Sequence, residues 1–289
     1  MNNTADTLLA ILELEQIEQN LFLGQNEARL HNRLFGGQVL AQAAMAAYRT
    51  VENVHMHSLH AYFIRAGSTE RPVLYEIERI RDGRSFVTRR VVAVQNGEAI
   101  FNLDVSFQID EPGFDHALPM PNVPLPDELE DDVVLARNYT ERADGNADQF
   151  GPMALVERPF ESRSVFQVDQ PGWSDDRSWS PTWLKFRGEF DPHDRRLSRC
   201  LLAYVSDMSL VSTATLPHLS EVPRSQLQLA SLDHALWIHR PLQMNEWLLF
   251  HKRTSTSQGS RGLVHADFFS QDGTLVASVT QEGLVRLKR

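Results

Sequence analysis

The chain has 289 residues, 42% of them hydrophobic and 23% charged, with a formal net charge of −10 and one cysteine, Cys200. This is the balance of an ordinary globular protein, long enough to bury a large core and to form about two domains at roughly 100–200 residues each. The acidic surplus argues against nucleic acid as a general partner, the lone cysteine excludes an intrachain disulfide, and no apolar run reaches the roughly 20 residues of a membrane span.

The first predicted element is a short amphipathic helix over 4–17, capped by Thr4, with Leu8, Leu12 and Ile17 near helical spacing. Phe35-Gly36-Gly37-Gln38 then runs into Val39-Leu40-Ala41-Gln42-Ala43-Ala44-Met45-Ala46-Ala47-Tyr48. A helix with almost no polar face is a buried one, and its alanines make it thin enough for a sheet to curl around it. Strands follow at His57–Ile64, Pro72–Ile80, Ser85–Val94 and Ala99–Ile109, with turns at Arg81-Asp82-Gly83-Arg84 and at the Asn96-Gly97 hairpin pair. Residues 113–158, with Pro119, Pro121, Pro124 and Pro126 ahead of Glu128, Glu130, Asp131 and Asp132, read as a linker that partly crosses the first half. Beyond it come strand-like runs at Ser164–Val168 and Thr182–Phe186 and a helix over Leu197–Val211. The last strands are expected near Gln226–Ile238, Glu246–Thr254, Gly262–Phe269 and Thr274–Val285, with a hairpin turn at Gln271-Asp272-Gly273.

The order is helix-then-meander, twice. Ser58 and Gln108 flank the first meander, Ser231 and Gln281 the second, with a hairpin turn between the members of each pair. This divides the chain into residues 1–112, a linker over 113–158, and residues 159–289. The first buried helix has no carboxylate; the second carries Asp207 beside its apolar stripe, where an ionised group is costly without partners. One working site per chain follows, with Ser58 and Gln108 as structural remnants. Cys200 reads as a small core residue. His234 and His239, five apart on a strand, point to opposite faces, so a shared metal is not expected, and no Cys/His cluster has zinc spacing. Arg79, Arg81, Arg84, Arg89 and Arg90 form a local cationic excess on a strand face, of which Arg81 and Arg84 are candidates for holding phosphate.

Several segments together resemble the acyl-CoA thioesterase II family: Phe35-Gly36-Gly37-Gln38, His57-Ser58-Leu59-His60-Ala61-Tyr62-Phe63-Ile64-Arg65, Arg81-Asp82-Gly83-Arg84-Ser85-Phe86, Asp233-His234-Ala235-Leu236-Trp237-Ile238-His239-Arg240-Pro241 and Val279-Thr280-Gln281-Glu282-Gly283. The resemblance spans roughly residues 10 to 287 and is weakest across 115–160. It implies an α+β double hot-dog: two antiparallel β-sheets, each wrapped around a long helix, as a tandem repeat in one chain. It also implies hydrolysis of acyl-CoA to free fatty acid and CoA, with no cofactor, by water held between Asp207, Ser231 and Gln281. Gly36 and Gly37, opening a buried helix, are candidate oxyanion donors. The rival readings are a hot-dog hydratase or dehydratase acting on an enoyl thioester, and an acyl-CoA-binding module without catalysis. A cytoplasmic homodimer or homotetramer is expected, since the start Met1-Asn2-Asn3 lacks a basic signal, Leu287-Lys288-Arg289 is not a peroxisomal ending, and open sheet edges invite pairing.

Overall fold

The computed structural model describes residues 4–27, 32–142, 155–167, 177–218 and 220–288. Helix α1 (Thr4–Leu12) and two short strands, β1 (Glu15–Glu18) and β2 (Leu21–Gly24), precede α2 (Gly36–Tyr48). Strands β3 (His55–Phe63), β4 (Val73–Asp82), β5 (Phe86–Gln95) and β6 (Glu98–Gln108) form the first meander. After α3 (Asp132–Thr140), β7 (Phe160–Ser164) and β8 (Trp179–Phe186) lead to α4 (Arg195–Ser206), and β9 (Leu227–Ser231), β10 (Asp233–Ile238), β11 (Leu248–Gln258), β12 (Arg261–Ser270) and β13 (Leu275–Leu287) complete the chain.

Helix α2 is buried from Gly37 to Tyr48, as its one-sided composition requires. Its two buried glutamines are satisfied: Gln38 donates to Asn26 Oδ1 at 2.9 Å, and Gln42 donates to the carbonyls of Ile11 and Gln25, both at 2.8 Å, while accepting from Tyr75 at 2.7 Å. Asn96 (φ 54°) and Gly97 (φ 77°) make the expected tight hairpin between β5 and β6, with Gln95 opposite Glu98.

The two expected sheets are instead one. The described strands belong to a single antiparallel sheet in the order β1-β2-β4-β5-β6-β3-β10-β13-β12-β11-β8-β7, with β9 also on β13. The join is β3 against β10, with Leu59 opposite Leu236 and His60 opposite Ala235. Pairing the innermost strand of each meander leaves no open edge at the middle of the molecule. Helices α2 and α4 pack on each other, and both contact β3 of that central pair.

Other differences are local. The helix expected over 4–17 ends at Leu12, and its last expected residues lie in β1, while β2 has no counterpart in the sequence reading; four residues each is too short for periodicity to register. The expected Ser164–Val168 strand is Phe160–Ser164, with Val168 outside the described residues. The segment read as a linker contains α3, capped by the Asp131 carboxylate, which accepts from the amides of Val133 and Val134; residues 143–154 lie outside the described residues. Part of it packs over the second half: Met120, Val123 and Leu129 lie against Trp183, Leu249 and Phe269, and the Trp183 indole donates to the carbonyl of Pro124 at 2.9 Å. The helix expected over Leu197–Val211 stops at Ser206, because Ser209 takes a left-handed backbone (φ 60°) and a 3-10 helix over Val211–His218 follows. The strand expected over Gln226–Ile238 breaks at Leu232, whose carbonyl accepts from Phe63 and whose amide donates to Glu282. Nor do the two Ser–Gln pairs hold equivalent ladder positions: Ser58 lies opposite Ser106, ahead of Gln108, whereas Ser231 lies opposite Gly283, beyond Gln281. Among the described residues no helix is long and apolar enough to cross a membrane.

Candidate active site

Asp207 is the C-cap of α4, just past the last helical turn. A carboxylate there stands at the negative end of its own helix, which is unfavourable. The fold offsets this by setting α2 head-on against it. The amide of Gly37, in the first turn of α2, donates to Asp207, and a Cβ placed on Gly36 would come within 2.5 Å of Asp207 Oδ2. Both glycines are thus explained by packing. A Cβ on Gly37 would stand 2.1 Å from the carbonyl oxygen of Tyr204, so only glycine lets the two helices approach this closely.

The sheet supplies the remaining partners. Ser231, at the end of β9, donates from Oγ to Asp207 Oδ1 at 3.0 Å. Gln281, on β13 and fully buried, donates from Nε2 to the same oxygen at 2.7 Å. The structure therefore brings together three residues separated by up to 74 positions in the chain. Asp207 is only 8% exposed. Burial pushes its carboxyl up to about 6, against the three hydrogen bonds from Gln281, Ser231 and Gly37 that favour the ionised form.

A fourth residue, which sequence reasoning weighs only as a metal ligand or a base, completes the arrangement. His234 is 1% exposed. Its Nε2 lies 2.9 Å from Ser206 Oγ and its Nδ1 3.3 Å from Gln281 Nε2. Ser206 Oγ donates to the carbonyl of Ala203 at 2.9 Å. A carbonyl only accepts, so Ser206 commits its hydrogen there and must accept from His234 Nε2–H. His234 Nδ1 is then the bare nitrogen and accepts from Gln281. The chain of donors fixes the Gln281 amide with nitrogen towards Asp207 and leaves Gln281 Oε1 buried and without a protein donor. Burial holds the imidazole neutral, its pKa pushed down to about 3. Burial alternates along Asp233–Ile238, with His234, Leu236 and Ile238 on the inner face; the partners of His234, 28 and 47 residues away, left no mark on the sequence.

Asp207 and Ser231 open onto a cavity of about 660 Å³. Leu34, Phe63, Ile100, Phe101, Leu229 and Leu232 form its apolar wall, and Arg33, Arg65, Arg158 and Arg224 also line it. Arg81 and Arg84 are exposed and do not line it. Of the sequence-level arginine cluster, Arg89 turns inward instead, 1% exposed, to pair with Asp82 and to donate to Thr50 Oγ1 at 2.9 Å. Gln108 bonds Glu111 at 3.0 Å and takes no part in the site. His239 points away from His234 and bonds Ser278 at 3.0 Å. Among the described residues no group of His, Cys, Asp and Glu is arranged to hold a metal. Cys200 is buried, and burial raises its thiol pKa far above the usual range, so it offers no thiolate.

Comparison with known proteins identifies the family. The acyl-CoA thioesterase family model matches residues 155–284, and the model for the acyl-CoA thioesterase N-terminal domain matches residues 27–108. Acyl-CoA thioesterase 2 of Haemophilus influenzae is 35% identical over 287 residues, 99% of each chain. The crystal structure of an acyl-CoA thioesterase II from Mycobacterium marinum superposes with a TM-score of 0.79 at 38% identity, covering 97% of this chain and 98% of that one. A hot-dog protein from Alicyclobacillus acidocaldarius shares the fold with a TM-score of 0.76 at 19% identity, covering 98% and 99%. With family models on both halves and a relative matched from end to end, the chain belongs to the acyl-CoA thioesterase family of thioester hydrolases.

Proposed function

We propose that the chain hydrolyses acyl-CoA to free fatty acid and CoA by direct attack of water held by Asp207, Ser231 and Gln281. The observation that carries this is one carboxylate oxygen, Asp207 Oδ1, accepting from both Ser231 and Gln281 at the edge of an apolar cavity. Asp207 takes a proton from water as its oxygen bonds the thioester carbon. The tetrahedral adduct then collapses, the C–S bond breaks, and the thiolate recovers the proton from Asp207. A base with a pKa near 6 is ionised at neutral pH and strong enough for this role. Gln281 Oε1, buried and without a protein donor, is the acceptor this reading assigns to the second water hydrogen. Gly37's amide is already given to Asp207, so an oxyanion role falls to Gly36, whose amide in the first turn has no intrahelical carbonyl to bond.

The same reading treats residues 1–112 and 159–289 as tandem hot-dog halves sharing one sheet, with a single working site where the second helix ends against the start of the first. The arginines lining the cavity replace Arg81 and Arg84 as the better candidates for the CoA phosphates. The molecule is taken as a cytoplasmic homodimer or homotetramer, with β1 and β7 at the outer edges of the sheet. The hydratase reading needs a histidine facing substrate; His234 is locked away from the cavity by Ser206 and Gln281. Release of free thiol from a saturated acyl-CoA tests the proposal, because a saturated chain offers nothing to hydrate. Binding of acyl-CoA without thiol release would leave only the non-catalytic alternative.

A further inference from the structure

Strands β7, β8 and β11 break the usual rule for the inner face of a sheet. Positions facing the core should be apolar. On β11 the inward row reads Leu248, Phe250, Lys252, and on β8 it reads Leu184, Thr182, Ser180, with Phe250 opposite Thr182 and Lys252 opposite Ser180. On β7, Ser162 lies opposite Leu184 and Ser164 opposite Thr182. Together these put hydroxyls and an ammonium where a core would carry aliphatic side chains. They line a second chamber of about 600 Å³, which shares Arg158, Met208, Ser209, Ser212 and Arg224 with the cavity of Asp207.

Lys252 is the unusual member. It is 4% exposed, and its Nζ reaches one protein acceptor among the described residues, Thr182 Oγ1 at 3.1 Å. An ammonium has three hydrogens to place, and a buried cation without a close anion is costly. Asp132, in the same chamber, attracts it but commits its oxygens to the amide and hydroxyl of Ser164 at 2.8 and 2.9 Å. Arg158, Arg177 and Arg224 add three further cations to this lining, and Arg224 has no carboxylate partner among the described residues. Among the described residues, buried Lys252 and exposed Arg224 thus stand in this lining with Asp132 as its one carboxylate. A buried ammonium with a single close acceptor in an open chamber is suited to an incoming anion.

Resting on the thioesterase reading, we propose that this chamber is an oxyanion-binding subsite in which Lys252, supported by Arg224 and the Ser/Thr hydroxyls, holds a phosphate or carboxylate carried by the thioester substrate. Two parts of such a substrate have that chemistry: the phosphates of CoA and the far end of an acyl chain that terminates in a carboxylate. The chamber adjoins the cavity of Asp207, the two sharing Met208 and Ser209, which follow Asp207 in the chain.

The test compares wild type with Lys252→Met, which fills the same space without charge, and with the surface-accessible Arg224→Gln, in case the first fails to fold. Calorimetric titration with CoA and with dephospho-CoA reads the phosphate source. The ratio of KM values for hexanoyl-CoA and hexanedioyl-CoA reads the carboxylate source. If the phosphates sit here, both variants lose at least tenfold in CoA affinity. If a chain-end carboxylate does, CoA affinity is kept and a wild-type preference for the hexanedioyl ester collapses at least tenfold. Unchanged CoA affinity together with an unchanged KM ratio in folded Lys252→Met, or in Arg224→Gln where Lys252→Met does not fold, overturns the subsite. CoA titration needs no turnover, so a protein that fails to release thiol would sink the hydrolytic reading while the binding result still decides this one.

Discussion

Replacing Asp207 by Asn separates the catalytic from the structural role of the carboxylate, and the structure gives both magnitudes. Burial moves the group from 3.8 to about 6. At 1.36 kcal/mol per pH unit that is a cost of about 3 kcal/mol for carrying the ionised form. The sign follows from proton counting: between pH 3.8 and 6 the folded state holds a proton that the unfolded state has lost, so stability falls as pH rises through this window. The contribution is full below about pH 4 and gone above about pH 7. The amide of the variant cannot ionise. The stability of wild type relative to Asp207→Asn should therefore fall by about 3 kcal/mol from about pH 4 to about pH 7, read from denaturant midpoints at each pH. The offset at any one pH also contains the Gly37 amide left facing an amide nitrogen, worth about 1–3 kcal/mol, which is why the pH dependence and not the single value is the measurement. Turnover by free-thiol release should fall at least a hundredfold in the same variant, and wild-type kcat should drop about tenfold per unit below about pH 6. Near-normal turnover in a folded Asp207→Asn, or a stability difference that is flat with pH, would refute the reasoning.

Four other outcomes are expected. His234→Phe frees the Gln281 amide to flip, so kcat falls at least tenfold with KM little changed and the acidic limb moves above about 6, since a flipped amide no longer donates to Asp207; an unaltered kcat would remove His234 from the donor chain. Gly37→Ala drives a Cβ into the Tyr204 carbonyl and should cost about 1–3 kcal/mol or more of stability as well as activity, measured by denaturant unfolding. Ser231→Ala removes one donor to Asp207 and should lower kcat while raising the apparent pKa of the acidic limb, because that bond favours the ionised form. Cys200 should react with a thiol reagent only on unfolding, and Cys200→Ser should keep full turnover; loss of activity there would reopen a cysteine nucleophile.

What the chain's own letters determined is what short-range pattern can encode. The uniform apolarity of Val39–Tyr48 made a buried helix, Asn96-Gly97 made a hairpin, and alternation set most strands. The family motifs pointed to Asp207, Ser231 and Gln281. Tertiary structure decided the rest because it depends on which strands and helix ends meet. The β3–β10 ladder turned two expected sheets into one; nothing in either strand announces its partner. The same assembly brought the head of α2 against the end of α4, which explains Gly36 and Gly37 as contact points and raises the pKa of Asp207 by burial. His234 acquired its role, and Lys252 its chamber, from residues tens of positions away. A single side chain's chemistry is written in its letter, but its desolvation and its hydrogen-bond partners belong to the packed molecule.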